Sequence, residues 1–345
     1  MTMPELLIPA GSLDVVKTAV RYGADAVYVG GEAFGLRAKA KNLSFDELRE
    51  AVAYCHERGK KLYVATNVIA HEGSMEAFRR YLEKIGEIRP DAVIVADPGA
   101  FSVAKEMLPP EIAIHISTQA NNVNAETFCF WYAQGAERVV CGRELSLEEI
   151  RAIRRRIPEG AEIEAFVHGA MCISYSGRCL LSAFMTGREA NLGACTHPCR
   201  WRYAVVEESR PGQYMPVYED DGGTYLFNSK DLCMIEHIPE LLASGIDSFK
   251  IEGRMKTALY VATVTRVYRE AIDTCMRDPE EYRAAIPRYL SEIRRSAARE
   301  YTTGFFFGKP DNTSQDYEGR SGERESVYLG TVSEVLPDGT VTFLQ

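Results

Sequence analysis

Short apolar runs alternate along this chain with longer segments whose apolar residues recur at helical spacing. The apolar runs cover residues 6–9, 26–29, 62–65, 92–95, 112–116, 138–141, 163–167 and 248–251. Each is of strand length and bounded by glycine or polar residues. The helical patterns cover 13–22, 45–58, 75–88, 101–107, 125–134, 147–156, 232–243 and 258–272. Ser12, Ser44 and Ser146 stand where helix N-caps belong, and Gly23 and Gly59 close the first two helices. Eight strand–helix repeats predict parallel strands joined by right-handed crossovers. Eight is also the number that closes a sheet, so the fold class is α/β, a (β/α)8 barrel of the TIM type. The competing arrangement is an open doubly wound sheet. The glycines at the strand ends form no GxGxxG fingerprint, so no dinucleotide fold is predicted.

The pattern divides the chain into residues 1–275, the barrel with a cysteine-rich insertion at 170–230; 276–324, a helical extension and linker; and 325–345, the start of a small β-domain. Residues 205–225 turn polar, and Gly222-Gly223 reads as a hairpin turn. Residues 278–299 are a charged amphipathic helix docked on the barrel's outside, and 301–307 are aromatic and irregular. The runs 327–332 and 340–344 flank Pro337-Asp338-Gly339, and the chain stops inside a strand pattern, as a truncated domain would.

With 345 residues, 46% of them hydrophobic, the chain can build one barrel-sized core. Its net charge of −9 excludes a protein that binds nucleic acid by overall basicity. An RNA partner would need a local patch. The runs available are Arg151, Arg154, Arg155 and Arg156; Arg200 and Arg202; Arg254 and Lys256; Arg294 and Arg295. Each is equally a solvated helix face. No targeting or transmembrane segment is legible, and the many thiols point to the reducing cytoplasm. The pattern does not define an oligomeric state.

Residues 164–200 break the alternation. Four of the nine cysteines lie here, Cys172, Cys179, Cys195 and Cys199, as Cys-x6-Cys and Cys-x3-Cys fifteen residues apart. Glycines and polar residues separate them, which suits a loop folded around something other than its own apolar side chains. An iron–sulfur cluster is the first candidate and a tetrahedral zinc site its rival, since both take thiolates. Zinc sites favour pairs two to four residues apart, and only the second pair has that spacing. Cys55, Cys129, Cys141 and Cys275 sit singly in apolar patterns and read as buried thiols. Barrel logic places function at the C-terminal ends of the strands. That end collects Asn67, Gln119, Arg143, His168, Lys250, Glu252 and Arg254. Lys250, Glu252 and Arg254 alternate, so they share one face; either they form an internal network or they meet a ligand. Asn67 and Gln119 can orient a polar ligand or satisfy strand-end backbone. His168 is a proton donor or a residue steadying the cysteine loop, and His115 reads as a core histidine. His197 is a weaker alternative ligand beside Cys199.

The residues Glu164, Phe166, Gly169, Ala170, Met171, Cys172, Gly177, Arg178, Cys179 and Ser182 resemble the signature of the collagenase-like peptidase family of unknown catalytic type number thirty-two, U32. GACTHPCRW, FNSKDLC, SFKIEGRMK and the opening ELLIPAGSLDVVKTAVRYGADAVYVGG resemble it too, so the likeness spans nearly the whole chain. It is strongest to members that act in prephenate-dependent synthesis of 5-hydroxyuridine in tRNA. The resemblance implies a 4Fe–4S cluster on Cys172, Cys179 and Cys195, with Cys199 or Cys233 as fourth ligand. It also implies tRNA as substrate and prephenate as cosubstrate; for such a dicarboxylate Arg254 and Arg143 are the natural clamps, and their places at the strand ends make His168, Glu252 and Lys250 the catalytic candidates. Relatives in ubiquinone hydroxylation show that the substrate can differ. The competing functions are a peptidase, for which neither HExxH nor GxSxG is present, and a noncatalytic RNA-binding factor stapled by its metal.

Overall fold

In the computed structural model, residues 2–35, 42–172, 174, 179–191, 193–201, 204–206, 214–216, 230–296, 300–309 and 331–344 are described. The chain alternates as its apolar pattern predicts: β1 (Glu5–Ala10), α1 (Leu13–Arg21), β2 (Ala26–Gly30), α2 (Phe45–His56), β3 (Lys61–Ala65), α3 (Met75–Ile88), β4 (Ala92–Val95), α4 (Pro98–Met107), β5 (Ala113–Ile116), α5 (Ala125–Gln134), β6 (Arg138–Val140), α6 (Leu147–Arg154) and β7 (Glu162–Gly169). The detour that follows includes α7 (Leu181–Thr186), β8 (Ala204–Val206) and β9 (Tyr214–Pro216). Then come β10 (Asp231–Cys233), α8 (Ile238–Leu242), β11 (Ser248–Ile251), α9 (Ala258–Arg277), α10 (Pro279–Ser296), β12 (Tyr301–Thr302), β13 (Thr331–Val335) and β14 (Val341–Leu344). The helix starts use the expected caps. Ser12 accepts from Val15 N, and Ser44 and Ser146 complete reciprocal capping boxes with Glu47 and Glu149.

Strands β1 to β7 pair in parallel in sequence order, and β11 pairs with both β7 and β1. The sheet is therefore a closed eight-stranded parallel barrel, the TIM type. Outward-facing residues such as Val27, Val64 and Val93 join Leu48, Leu82 and Phe101 of the surrounding helices in the main core. The barrel interior is divided. Leu7, Ala26, Tyr28, Tyr63, Ala92 and Ile94, from β1 to β4, form a small apolar cluster of their own. The side built by β6, β7 and β11 is charged. Arg138 bonds Glu5 at 2.5 Å, Glu162 at 2.6 Å and Glu164 at 3.2 Å, and Lys250 bonds Glu164 at 2.6 Å. Glu164 is fully buried. Buried charges of this kind persist only when paired and hydrogen-bonded.

Two expectations change. Residues 232–243 begin as strand β10 and turn helical only beyond it, because β7 runs past the barrel rim and offers its edge. Leu232 pairs antiparallel with Gly169, and Cys233 with His168. Residues 301–307, expected to be irregular, open with β12, which pairs with β10 through Asp231 and Tyr301. The described hairpin of the insertion joins 204–206 to 214–216, while the turn predicted at Gly222-Gly223 lies outside the described residues. Helix α10 packs on α9 and buries Tyr282, Tyr289 and Ile293. β13 and β14 form the antiparallel pair expected near the end of the chain. Among the described residues no helix is long and apolar enough to cross a membrane.

Candidate active site at the barrel mouth

The chain leaves β7 through Gly169 at φ +113°, where a Cβ would stand 2.7 Å from the Cβ and carbonyl oxygen of Glu252. Only glycine permits that approach. Asn191 then fixes the far end of the detour. Its Oδ1 accepts from Ile69 N at 3.0 Å and its Nδ2 donates to Ile69 O at 3.2 Å. Ile69 follows β3, which lies opposite β7 in the ring of eight. The cysteine segment therefore crosses the mouth of the barrel. It also braces itself: buried Ser182 on α7 accepts from Thr196 N at 3.0 Å, and Thr186 Oγ1 lies 3.2 Å from Thr196 Oγ1.

The thiols fall into two populations, and none of the nine is in a disulfide. Cys55, Cys141, Cys233 and Cys275 are buried, while Cys129, expected among the buried thiols, is only half-buried. Burial pushes the Cys55 thiol up to about 12 and that of Cys141 higher still. Cys172 is exposed, and Cys179, Cys195 and Cys199 are partly so. Cys195 Sγ accepts a hydrogen bond from His197 N at 3.3 Å, the kind of contact that steadies a ligating sulfur. Among the described residues, no group of three or more His, Cys, Asp or Glu side chains stands ready to hold a metal ion. The donor set on the detour fits a cluster in chemistry, and closing the segment would be part of binding it. Cys233 lies apart from these four in environment. Burial raises its thiol to about 11, and its Sγ sits 3.8 Å from the Tyr268 hydroxyl.

Around the rim, the predicted polar residues are gathered in part. Asn67 Nδ2 donates to Ser117 Oγ at 3.1 Å, and the same Oγ accepts from Gln119 N at 3.3 Å. Gln119 is buried, and its Oε1 has no partner among the described residues. Ser117, which sequence reasoning passed over, ties the Asn67 side-chain amide to the Gln119 backbone; its place just after β5 was the available signal. Arg143 donates to Ala170 O at 2.8 Å and stands 5.3 Å over the Phe166 ring, so it braces the exit of the detour. Arg254 is buried across the end of β2, where a side chain at Gly30 would collide with its guanidinium. β2 and β6 are opposite in the ring, so the two arginines flank the mouth from opposite sides. Glu252 is half-buried at the lip.

Two catalytic candidates sit elsewhere than expected. The ring of His168 faces outward into Tyr260, Tyr268 and Tyr301, with centroids 6.1, 5.4 and 5.3 Å away. Burial there pushes it down to about 3, so it is neutral and serves as packing for the detour's root, not as a proton donor. Lys250 is bound to Glu164 inside the barrel, with its ammonium 4.4 Å over Tyr28. It belongs to the Glu5–Arg138–Glu164 network, so the expected Lys250–Glu252–Arg254 face is divided where the β7–β11 register shifts after Lys250. His115 is a core histidine, edge-on to Tyr63 at 4.8 Å and held well below its usual range by burial. The Arg151–Arg156 run lies at the opposite end of the barrel from the mouth, where Arg154 bonds Gly245 O, Ala161 O and Asp247. Arg202 and the side chain of Arg200 lie outside the described residues.

A closed parallel barrel with a cysteine-bearing segment carried across its C-terminal mouth is the class defined so far. The chain belongs to peptidase family U32, whose model matches residues 11–316. It is 40% identical over 342 residues to tRNA hydroxylation protein P1 of Bacillus subtilis, covering 99% of this chain and 80% of that protein. An uncharacterized protease of Methanocaldococcus jannaschii is 41% identical over 96% of this chain and 81% of its own length. The 23S rRNA 5-hydroxycytidine C2501 synthase of Escherichia coli is 37% identical over 79% of this chain and 40% of its own length.

Proposed function

We propose that this protein is an RNA-modifying enzyme that hydroxylates uridine in tRNA to 5-hydroxyuridine, using a 4Fe–4S cluster and prephenate. The observation that carries the proposal is the Asn191–Ile69 clasp, which holds a segment with four non-disulfide cysteines over a mouth lined by amide and guanidinium groups. The names of the relatives support the same class of reaction: two act on RNA, and the products are a hydroxylated tRNA and a 5-hydroxycytidine.

Cys172, Cys179 and Cys195 would hold the cluster, with Cys199 or Cys233 as the fourth ligand. When bound, such a cluster supplies one-electron redox chemistry. The chain's own residues bind and orient. Arg143 and Arg254, on opposite sides of the mouth, suit the two carboxylates of a dicarboxylate. Ser117 holds the Asn67 side-chain amide and the Gln119 backbone, and the buried Gln119 Oε1, without a partner among the described residues, is an acceptor for a substrate N–H. Glu252 at the lip offers a carboxylate to take a proton from the uracil ring.

The peptidase reading fares poorly by the same chemistry. Cys233 and His168 are bridged by the Tyr268 hydroxyl, at 3.8 and 3.4 Å, and resemble a nucleophile–base pair. Burial drives the thiol up to about 11 and the imidazole down to about 3, opposite to what a thiolate–imidazolium pair requires.

Protein purified without oxygen should carry about four irons and four sulfides per chain. Cys172→Ala, Cys179→Ala and Cys195→Ala should each lose the iron. Of Cys199→Ala and Cys233→Ala, the one that loses it identifies the fourth ligand. Transfer RNA from a deletion strain should lack 5-hydroxyuridine-type nucleosides, restored by the parent gene and not by Cys172→Ala. A colourless, zinc-loaded protein, or an unchanged nucleoside profile, would refute the proposal.

A further inference from the structure

A groove of about 540 Å³ runs between α9 and α10, lined by Leu259, Thr263 and Arg266 on one wall and by Arg288, Ser291, Glu292, Arg295 and Ser296 on the other. The spacing of these residues puts them on one face of each helix. Both mouth-side helix ends lie at the groove's upper end. α9 begins soon after β11 leaves the barrel, and just beyond the end of α10, Glu300 O accepts from Asp231 N at 2.9 Å, at the start of the strand paired with the end of β7. The walls carry three arginines and one glutamate, with Glu270 beside them, so arginines still outnumber carboxylates in a chain of net charge −9. Arg266 and Arg288 are tied to Glu270 and Glu292, which fixes both guanidiniums along the groove. Arg295 is exposed and makes no ion pair among the described residues, and Arg294 beside it is exposed as well. Ser291 and Thr263 add hydroxyl donors, while the Ser296 hydroxyl donates to Ile293 O at 2.9 Å.

We infer that this groove binds the phosphodiester backbone of the RNA substrate and leads an unpaired nucleotide to the barrel mouth. The inference rests on the tRNA reading above and supplies the basic track that reading lacks. Fixed guanidiniums and hydroxyls are the groups that take phosphate oxygens. An acidic chain that binds RNA needs such a local site. The groove is open to solvent rather than closed over a small ligand, which suits a continuous strand better than a free nucleotide.

Binding of bulk tRNA to the iron-loaded protein, followed by anisotropy across about 50 to 300 mM salt, tests it. Arg295→Glu and the double variant Arg294→Glu/Arg295→Glu should weaken binding several-fold. The slope of log affinity against log salt should fall by about one for each phosphate no longer neutralised. Iron content and circular dichroism should match the parent. Arg277→Glu, at the far end of α9, should leave affinity and slope unchanged. Unaltered affinity and slope in both groove variants would overturn the inference alone if tRNA hydroxylation is intact. Equal weakening by Arg277→Glu would overturn it as a mere effect of net charge. A parent protein that does not bind tRNA would overturn it together with the RNA half of the proposed function.

Discussion

At the floor of the barrel, Arg138 is enclosed by Glu5, Glu162 and Glu164, with Lys250 closing the set on Glu164. At the mouth, Arg143 donates to the Ala170 carbonyl and lies over the Phe166 ring, and Gln119 keeps a buried oxygen without a partner among the described residues. The two ends use the same kinds of side chain in different ways. The floor saturates its charges with one another and so welds β1, β6, β7 and β11 together. The mouth uses its polar groups to position backbone and leaves capacity for a ligand. A barrel of this type needs that division, because a stiff base is what holds a loosely bonded rim in place.

The largest test of the contrast removes the floor's central cation. Arg138→Met would strand two or three carboxylates in the interior, and losing one partner of a buried pair costs about 3–5 kcal/mol. Urea unfolding should show that loss, and iron binding should fall with the fold. The same substitution at Arg143 should cost at most about 1–2 kcal/mol, chiefly the hydrogen bond to Ala170. It should instead weaken binding of a dicarboxylate. Equal losses at the two positions would erase the distinction.

A second test uses acid. The unfolded chain protonates a histidine near its usual 6.5, whereas folded His168 stays neutral down to about 3. Its depressed value means that stability is lost as pH falls below about 6.5. At pH 5 the cost is about 2 kcal/mol relative to pH 7. Buried His115 acts in the same direction. Glu5 enters only lower: burial raises it, but Arg138 and its hydrogen bonds prevail and hold it below 4.5, so its contribution is lost beneath that value. His168→Phe keeps the ring against the three tyrosines and should retain about 2 kcal/mol more of its stability between pH 7 and pH 5 than the parent does. An identical pH dependence would mean that His168 is protonated in the folded protein, and would return the proton-donor role to it.

Much of the floor and wall is legible in the chain. The eight apolar runs become the eight barrel strands because period and length fix a buried strand without reference to partners. Glu162 and Glu164, alternating in β7, announce an inward polar face, yet their partner Arg138 opens another strand twenty-four residues earlier than Glu162, and pairing across a barrel is not local information. The Lys250–Glu252–Arg254 alternation misleads for a local reason, the register shift after Lys250. The β10 segment reads as helix because its apolar residues suit either state, and only the exposed edge of β7 decides between them. Asn191 carries no signal at all: nothing marks a side-chain amide that mimics a strand partner for a loop 122 residues away.

That amide supports the smallest expected effect and the one that separates mouth from floor most cleanly. Asn191→Ala deletes two hydrogen bonds to Ile69, each worth about 0.5–1.5 kcal/mol, in a segment partly open to water. The barrel's unfolding midpoint should hardly move, because the welded strands do not depend on the detour. Cleavage by a protease within residues 170–230 should become several-fold faster, and iron retention in the presence of a chelator should shorten in parallel. Asn191→Asp keeps the acceptor for Ile69 N and places a carboxylate against Ile69 O, so it should resemble the alanine variant rather than the parent. If both variants resist the protease as the parent does, the segment is held over the mouth by other contacts, and the clasp is incidental to the site it spans.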